Sequence, residues 1–169
     1  MARAGRRPSA EVLWAEPQAA TPLVADALGL APGATVHALQ RLRSVDGDPL
    51  AIETSYYPAD LTPDFLNNPL DGSLWDLLAE QYGIHPARAT ATIEVITLDE
   101  SATQHLAIRS AAPGILLVRR TYDTNGRCIE FARDTYRADR AAFELDAEIP
   151  PRQRPVADRR RAEVRQTSS

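Results

Sequence analysis

The sequence contains no lysine: all 19 basic residues are arginine. It has a single cysteine, Cys128, which excludes an internal disulfide and suits a reducing compartment. The ordinary reading of Cys128 is a small residue buried in a strand. No apolar run approaches the ~18 residues of a membrane span. Residues 1–20 lack the basic start and apolar stretch of a secretory signal. A cytoplasmic chain is the expectation that follows. Catalytic signatures are missing as well, with no Gly-x-Ser-x-Gly, no Gly-x-Gly-x-x-Gly and no phosphate loop. His37, His85 and His105 are scattered without metal-ligand spacing, so no metal and no cofactor are expected.

What is present fits one compact domain. At 169 residues with 44% apolar content, the chain can bury a real core. Charge is uneven. Residues 1–8 carry Arg3, Arg6 and Arg7, and residues 151–169 carry a net +4, which leaves −11 on residues 9–150. An acidic body repels a polyanion, so the globular part is a poor partner for nucleic acid. The Arg159-Arg160-Arg161 run could touch phosphate. The segment 149–169 has little to bury and reads as a disordered Arg-rich tail, and residues 1–8 read as a linker or disordered arm.

Between these ends the elements follow from punctuation and period. Residues 10–15 read as a short strand. Thr21-Pro22 opens a helix, and Gly29 with Pro32-Gly33 ends it. Residues 34–45 and 50–57 form a hairpin around Asp46-Gly47-Asp48-Pro49. Ser73 caps a helix with Leu74, Leu77, Leu78 and Tyr82 on one face, and Gly83 stops it. Residues 87–98 alternate as a strand, and Asp99 caps a short helix through Leu106. Strands over 114–122 and 127–136 flank the turn Asp123-Thr124-Asn125-Gly126. Residues 141–145 add a short final strand. Hairpins dictate an antiparallel sheet, and helices must cover its apolar surface, so the fold class is α+β.

The two hairpins resemble each other. Ala31-Pro32-Gly33 matches Ala112-Pro113-Gly114, Asp46-Gly47 matches Asn125-Gly126, and Tyr57-Pro58-Ala59-Asp60 matches Tyr136-Arg137-Ala138-Asp139. Gly47 to Gly126 and Tyr57 to Tyr136 both span 79 residues. Two related halves predict a cleft between them, where a small ligand could sit.

Strand periodicity selects the candidate site. Arg41 and Arg43 are two apart and share a face. Glu53, Ser55 and Tyr57 share a face of the partner strand, as do Glu130, Asp134 and Tyr136 of the last long strand. Two arginines facing inward need a carboxylate or a bound anion; Glu53 could be the internal partner, and so could a ligand phosphate or carboxylate. The helix opening at Ser73 also favours an anion, because its first N–H groups and dipole point that way, and Gly72 lets a ligand approach the backbone. Each residue has a plainer role: a solvated Arg-x-Arg face, a simple cap, a core tyrosine with a wet hydroxyl.

In their order these residues resemble a known family. Leu28 to Gly33, Arg41-Leu42-Arg43, Asp46 to Pro58, Gly72 to Leu78, Tyr82-Gly83, Thr92-Ile93-Glu94, Ile129-Glu130-Phe131 and Tyr136 to Arg140 are similar to the UTRA domain. That is the effector-binding half of GntR-superfamily transcription regulators of the HutC branch. The resemblance implies a chorismate lyase-like fold over residues 9–148: an antiparallel β-sheet with flanking helices, usually dimeric. It implies that positions matching Arg41, Arg43 and Ser73 hold the anionic group of a sugar-phosphate-like effector, and that those matching Glu53, Glu130 and Tyr136 contact the remainder. Tyrosine is usual where this chain has Trp75, a change that removes a hydroxyl and adds bulk at the ligand-binding position.

Family regulators carry a winged helix-turn-helix before this domain, and here Met1 falls near the connecting segment. The reading is therefore a ligand-sensing domain of a homodimeric regulator that reaches DNA only through a winged helix not present in this chain. An alternative is a stand-alone enzyme on the chorismate lyase-like scaffold, with Arg41 or Arg43 holding a carboxylate and a glutamate serving as acid. A third reading is a module that dimerises with a full regulator and modulates it.

Overall fold

The structure is a computed structural model that describes residues 7–143. Six strands form one antiparallel sheet. In chain order they are β1 (Pro8–Ala19), β2 (Thr35–Val45), β3 (Asp48–Pro58), β4 (Pro86–Thr97), β5 (Pro113–Asp123) and β6 (Cys128–Arg137). Their spatial order is β1-β2-β3-β6-β5-β4. Three helices decorate the sheet: α1 (Pro22–Leu28), α2 (Leu74–Tyr82) and α3 (Glu100–His105), with a short 3-10 turn at Phe65–Asn67. The α+β architecture matches the sequence reading.

Local chemistry explains the boundaries. Thr21, Ser73 and Asp99 each accept a hydrogen bond from a backbone N–H three residues on, capping the three helices as expected. The first hairpin turns through Asp46 and Gly47, both with positive φ, the backbone that a tight two-residue hairpin requires. In the second turn, the Asp123 carboxylate accepts from the backbone N–H groups of Asn125 and Arg127.

Two expectations need correction. β1 starts at Pro8 and runs to Ala19, well beyond the short strand expected over 10–15. It pairs with β2 along its whole length, and the ladder, not its own weak alternation, defines it. Residues 141–143 carry no strand; the rest of the expected final strand, 144–145, and the expected tail, 149–169, lie outside the described residues.

The sheet buries both faces. One face carries Leu39 and Tyr57, which pack with Phe65, Leu70, Leu74 and Leu78 beneath α2 and the loop before it. On the other face, α1 covers Val36 and Phe131, and α3 covers Ile52 through Leu98, Ala102 and Leu106. The two edge strands differ from this core. β4 is exposed along nearly all its length, and Val95 is 82% exposed.

Candidate functional site

The α2-side face of the sheet is apolar at one end and charged in the middle. Alternation along the strands places Arg41 and Arg43 (β2), Glu53 (β3), Glu130 and Asp134 (β6) and Arg119 (β5) on that one face. The loop into α2 and the start of β1 rise around this patch. The result is an open cleft of about 360 Å³. Ser9 and Ala10 form one wall, and Asp71, Gly72, Ser73 and Trp75 another. Arg41, Arg43, Glu53, Arg119 and Glu130 form the floor.

Arg41 is 2% exposed and its donors are nearly all used. Its Nε donates to Glu53 Oε2 at 2.8 Å, and its Nη2 forms a short ion pair with the same oxygen. Its Nη1 donates to the carbonyls of Leu70 (2.9 Å) and Gly72 (2.8 Å). Four of the five guanidinium N–H groups are therefore committed inside the protein. Arg41 ties the loop before α2 to the sheet and so positions the α2 start; little of it is left to hold a ligand. Arg43 is different. Its side chain is 41% exposed, and its nearest carboxylate is Glu53 Oε1 at 3.6 Å. It offers a hydrated cation at the cleft mouth beside the α2 N-terminus.

Glu130 is the most fully satisfied acid of the floor. It is 2% exposed. Its Oε1 accepts from the Tyr57 hydroxyl at 2.8 Å; its Oε2 accepts from Thr121 Oγ1 at 2.6 Å and from the Trp75 indole N–H at 3.2 Å. Burial, and then the charge of Glu130, push the Tyr57 phenol well above its usual value, so its hydroxyl stays a donor. Trp75 thus brings an N–H donor to this buried carboxylate. Its ring lies with the Arg119 guanidinium 5.5 Å from the centroid and remains 41% exposed in the cleft wall.

Arg119 and Asp134 complete the patch. Arg119 Nη1 donates to Asp134 Oδ2 at 3.3 Å, and Arg119 Nη2 lies 3.4 Å from Glu130 Oε2. Burial works against the Arg119 charge, but Glu130 and Asp134 outweigh it and push its pKa up. Asp134 is pushed up to about 7 by burial, which Arg119 only partly offsets. Asp134 Oδ1, Arg119 Nε and Ser55 Oγ are buried without hydrogen-bond partners.

The structure thus brings together Arg41, Arg43, Glu53, Ser73, Trp75 and Glu130 in one cleft. It leaves Tyr136 on the same face but out of the lining. The Tyr136 ring meets Phe143 edge-on at 5.3 Å, and burial, followed by the charge of Asp134, lifts its phenol to about 12. Sequence reasoning missed Arg119, although the internal repeat contains the signal. With Tyr57 matched to Tyr136, the ladders align Val36 with Gly114, because these residues pair with Pro58 and Arg137. Arg119 then occupies the place of Arg41. Matching the two Pro-Gly pairs hid this, since Pro32-Gly33 precede β2 whereas Pro113-Gly114 begin β5. Among the described residues there is no cluster of His, Cys, Asp and Glu able to hold a metal.

Comparison with known proteins fits this geometry. The UTRA domain family matches residues 3–142. The chain belongs to the UTRA domain family. It is 30% identical to the transcriptional repressor NagR of Bacillus subtilis over 116 residues, which cover 69% of this chain and 48% of NagR. It is 34% identical to PhnF of Escherichia coli, described as a probable transcriptional regulator, over 84% of this chain and 59% of PhnF. The chain spans about half the length of the curated relatives it matches. The crystal structure of the PhnF effector domain from Mycobacterium smegmatis superposes with a TM-score of 0.80 at 27% identity, covering 86% of this chain and 90% of that one. This UTRA domain is therefore an effector domain of the kind found in GntR-family transcription regulators. No helix among its described residues is long and apolar enough to cross a membrane.

Proposed function

We propose that this UTRA domain senses a small anionic, sugar-phosphate-like metabolite in its cleft, within a cytoplasmic HutC-type regulator. The carrying observation is the pairing of Arg43, a half-exposed cation, with the α2 start, where the Leu74 and Trp75 N–H groups lie outside the Ser73 cap bond to Asp76, both opening into one cleft. Arg43 and the α2 start take the anionic group. Trp75 presents an apolar ring to the rest of the ligand, and Glu130, already saturated, acts as a rigid support for that ring. Arg41 acts one step back, by holding Leu70 and Gly72 in place. Residues 9–148 make up the sensing domain, and DNA is reached through a separate winged-helix domain. Binding would shift the population of two arrangements of a homodimer.

The homodimer reading draws support from β4. This edge strand exposes Ile93 and Val95, and among the described residues no strand pairs with its outer edge. An edge strand pairs antiparallel with its own copy about a twofold axis, burying the same residues from both chains.

The test is calorimetric titration with a library of sugar phosphates, phosphonates and carboxylates. A saturable binder is expected, and Arg43→Ala should weaken it by about 1.5–3 kcal/mol, the range for a hydrogen bond to a charged group. Equal binding by wild type and Arg43→Ala would place the ligand elsewhere. Turnover of a bound anion would favour the alternative reading, an enzyme on this scaffold.

A further inference from the structure

Asp134 sits where its charge has no adequate partner. It is 1% exposed and lies directly opposite Glu53 in the β3–β6 ladder, so two carboxylates face each other across neighbouring strands. The groups around it are Arg119 from β5, Glu130 and Tyr136 from β6, Glu53 and Tyr57 from β3, and Arg43 from β2. Glu53 is claimed by Arg41. Tyr57 donates to Glu130. Arg43 lies against Glu53, 3.6 Å from its Oε1. Among the described residues the Arg119 guanidinium is the cation within ion-pair distance of Asp134, and it is shared with Glu130. Glu130 holds three further donors, while Asp134 Oδ1 has none. Of the two acids on Arg119, Asp134 is therefore the one that takes a proton.

Arg119 itself lines the cleft floor. With Asp134 ionised, its charge is cancelled twice over; with Asp134 protonated, part of that charge becomes available upward. An anion arriving above Arg119 adds negative potential over Asp134 and draws on the cation that stabilises its ionised form. Both effects favour the protonated acid.

We propose that Arg119 is a second anion-recognition residue of this cleft and that ligand binding is coupled to uptake of one proton by Asp134. This inference rests on the reading of the cleft as an anion site. Its consequence is a sensor that responds to metabolite and pH together, binding anions more tightly on the acid side of neutrality. The acid location of Asp134, with a pKa near 7, puts the coupling in the physiological range.

The probe must not titrate itself, so inorganic sulfate and a hexose 6-sulfate serve. Calorimetry of the wild-type domain, in two buffers of different ionisation enthalpy, counts protons without any variant. The expected result is uptake of about half a proton per ligand near pH 7, rising toward one near pH 8, with affinity falling about tenfold per unit above pH 7 and levelling off below about pH 6. Asp134→Asn should bind with pH-independent affinity and exchange no proton. Binding that Arg43→Gln weakens, but that exchanges no proton and has equal affinity at pH 6 and pH 8, would overturn this inference while leaving the cleft as the anion site. Proton uptake that persists in Asp134→Asn would overturn it too, by assigning the proton to another group. No saturable binding by either probe, or binding indifferent to Arg43→Gln, would overturn the inference together with the reading beneath it.

Discussion

Arg41 and Arg43 stand two residues apart on one face, yet the fold gives them opposite tasks. Arg41 is desolvated and bonded to a carboxylate and two carbonyls, so its removal strands Glu53 and frees the loop that carries Ser73. Breaking a buried pair in this way costs about 3–5 kcal/mol. Urea unfolding of Arg41→Ala should show a loss of that size, whereas Arg43→Ala, a surface change, should stay within about 0.5 kcal/mol of wild type. A near-silent Arg41→Ala would mean the loop is held by something else. The sequence marked both arginines and offered Glu53 as an internal partner, but spacing alone could not say which arginine the acid would take. That depends on the Leu70–Gly72 carbonyls, which lie 29 and 31 residues further along the chain. Arg119 was harder still, because its neighbours Arg120, Thr121 and Tyr122 form an ordinary strand pattern and only the hairpin register exposes its equivalence to Arg41.

Elements were legible wherever a cap, a turn residue or a clear period marked them. Thr21, Ser73 and Asp99 each announce a helix start, and each caps one. β1 was legible only in part, because its pairing with β2 sets its length and its own pattern does not. β5 shows how closely the elements meet. A Cβ on Gly114 would lie 2.3 Å from Leu98 Cδ2 and 2.7 Å from its Cγ, with the Tyr136 carbonyl 3.1 Å away. Leu98 is buried against α3, so it cannot swing freely aside. Gly114→Ala should therefore cost about 1–3 kcal/mol through overpacking, read from denaturant midpoints. An unchanged midpoint would show that Leu98 has room to move.

At the scale of the whole molecule, an asymmetric distribution of cover matters most. The sheet is buried on both faces at its centre and bare along β4, while the charged cleft opens near the β1 side. The proposed anion site and the proposed self-association edge thus fall on different regions of one sheet. If β4 pairs with its copy, Val95→Asp should turn a dimer into a monomer in sedimentation at micromolar concentration and leave the far-UV spectrum unchanged; a dimer that survives would put the interface elsewhere. The central claim, that an anionic ligand sits between Arg43 and the α2 start, has a more direct test. In a proton–nitrogen NMR titration with a binder from the anion library, the backbone amides of Ser73, Leu74 and Trp75 and the Trp75 indole N–H should shift together along one saturation curve. A saturating ligand that leaves those four signals in place would contradict the account.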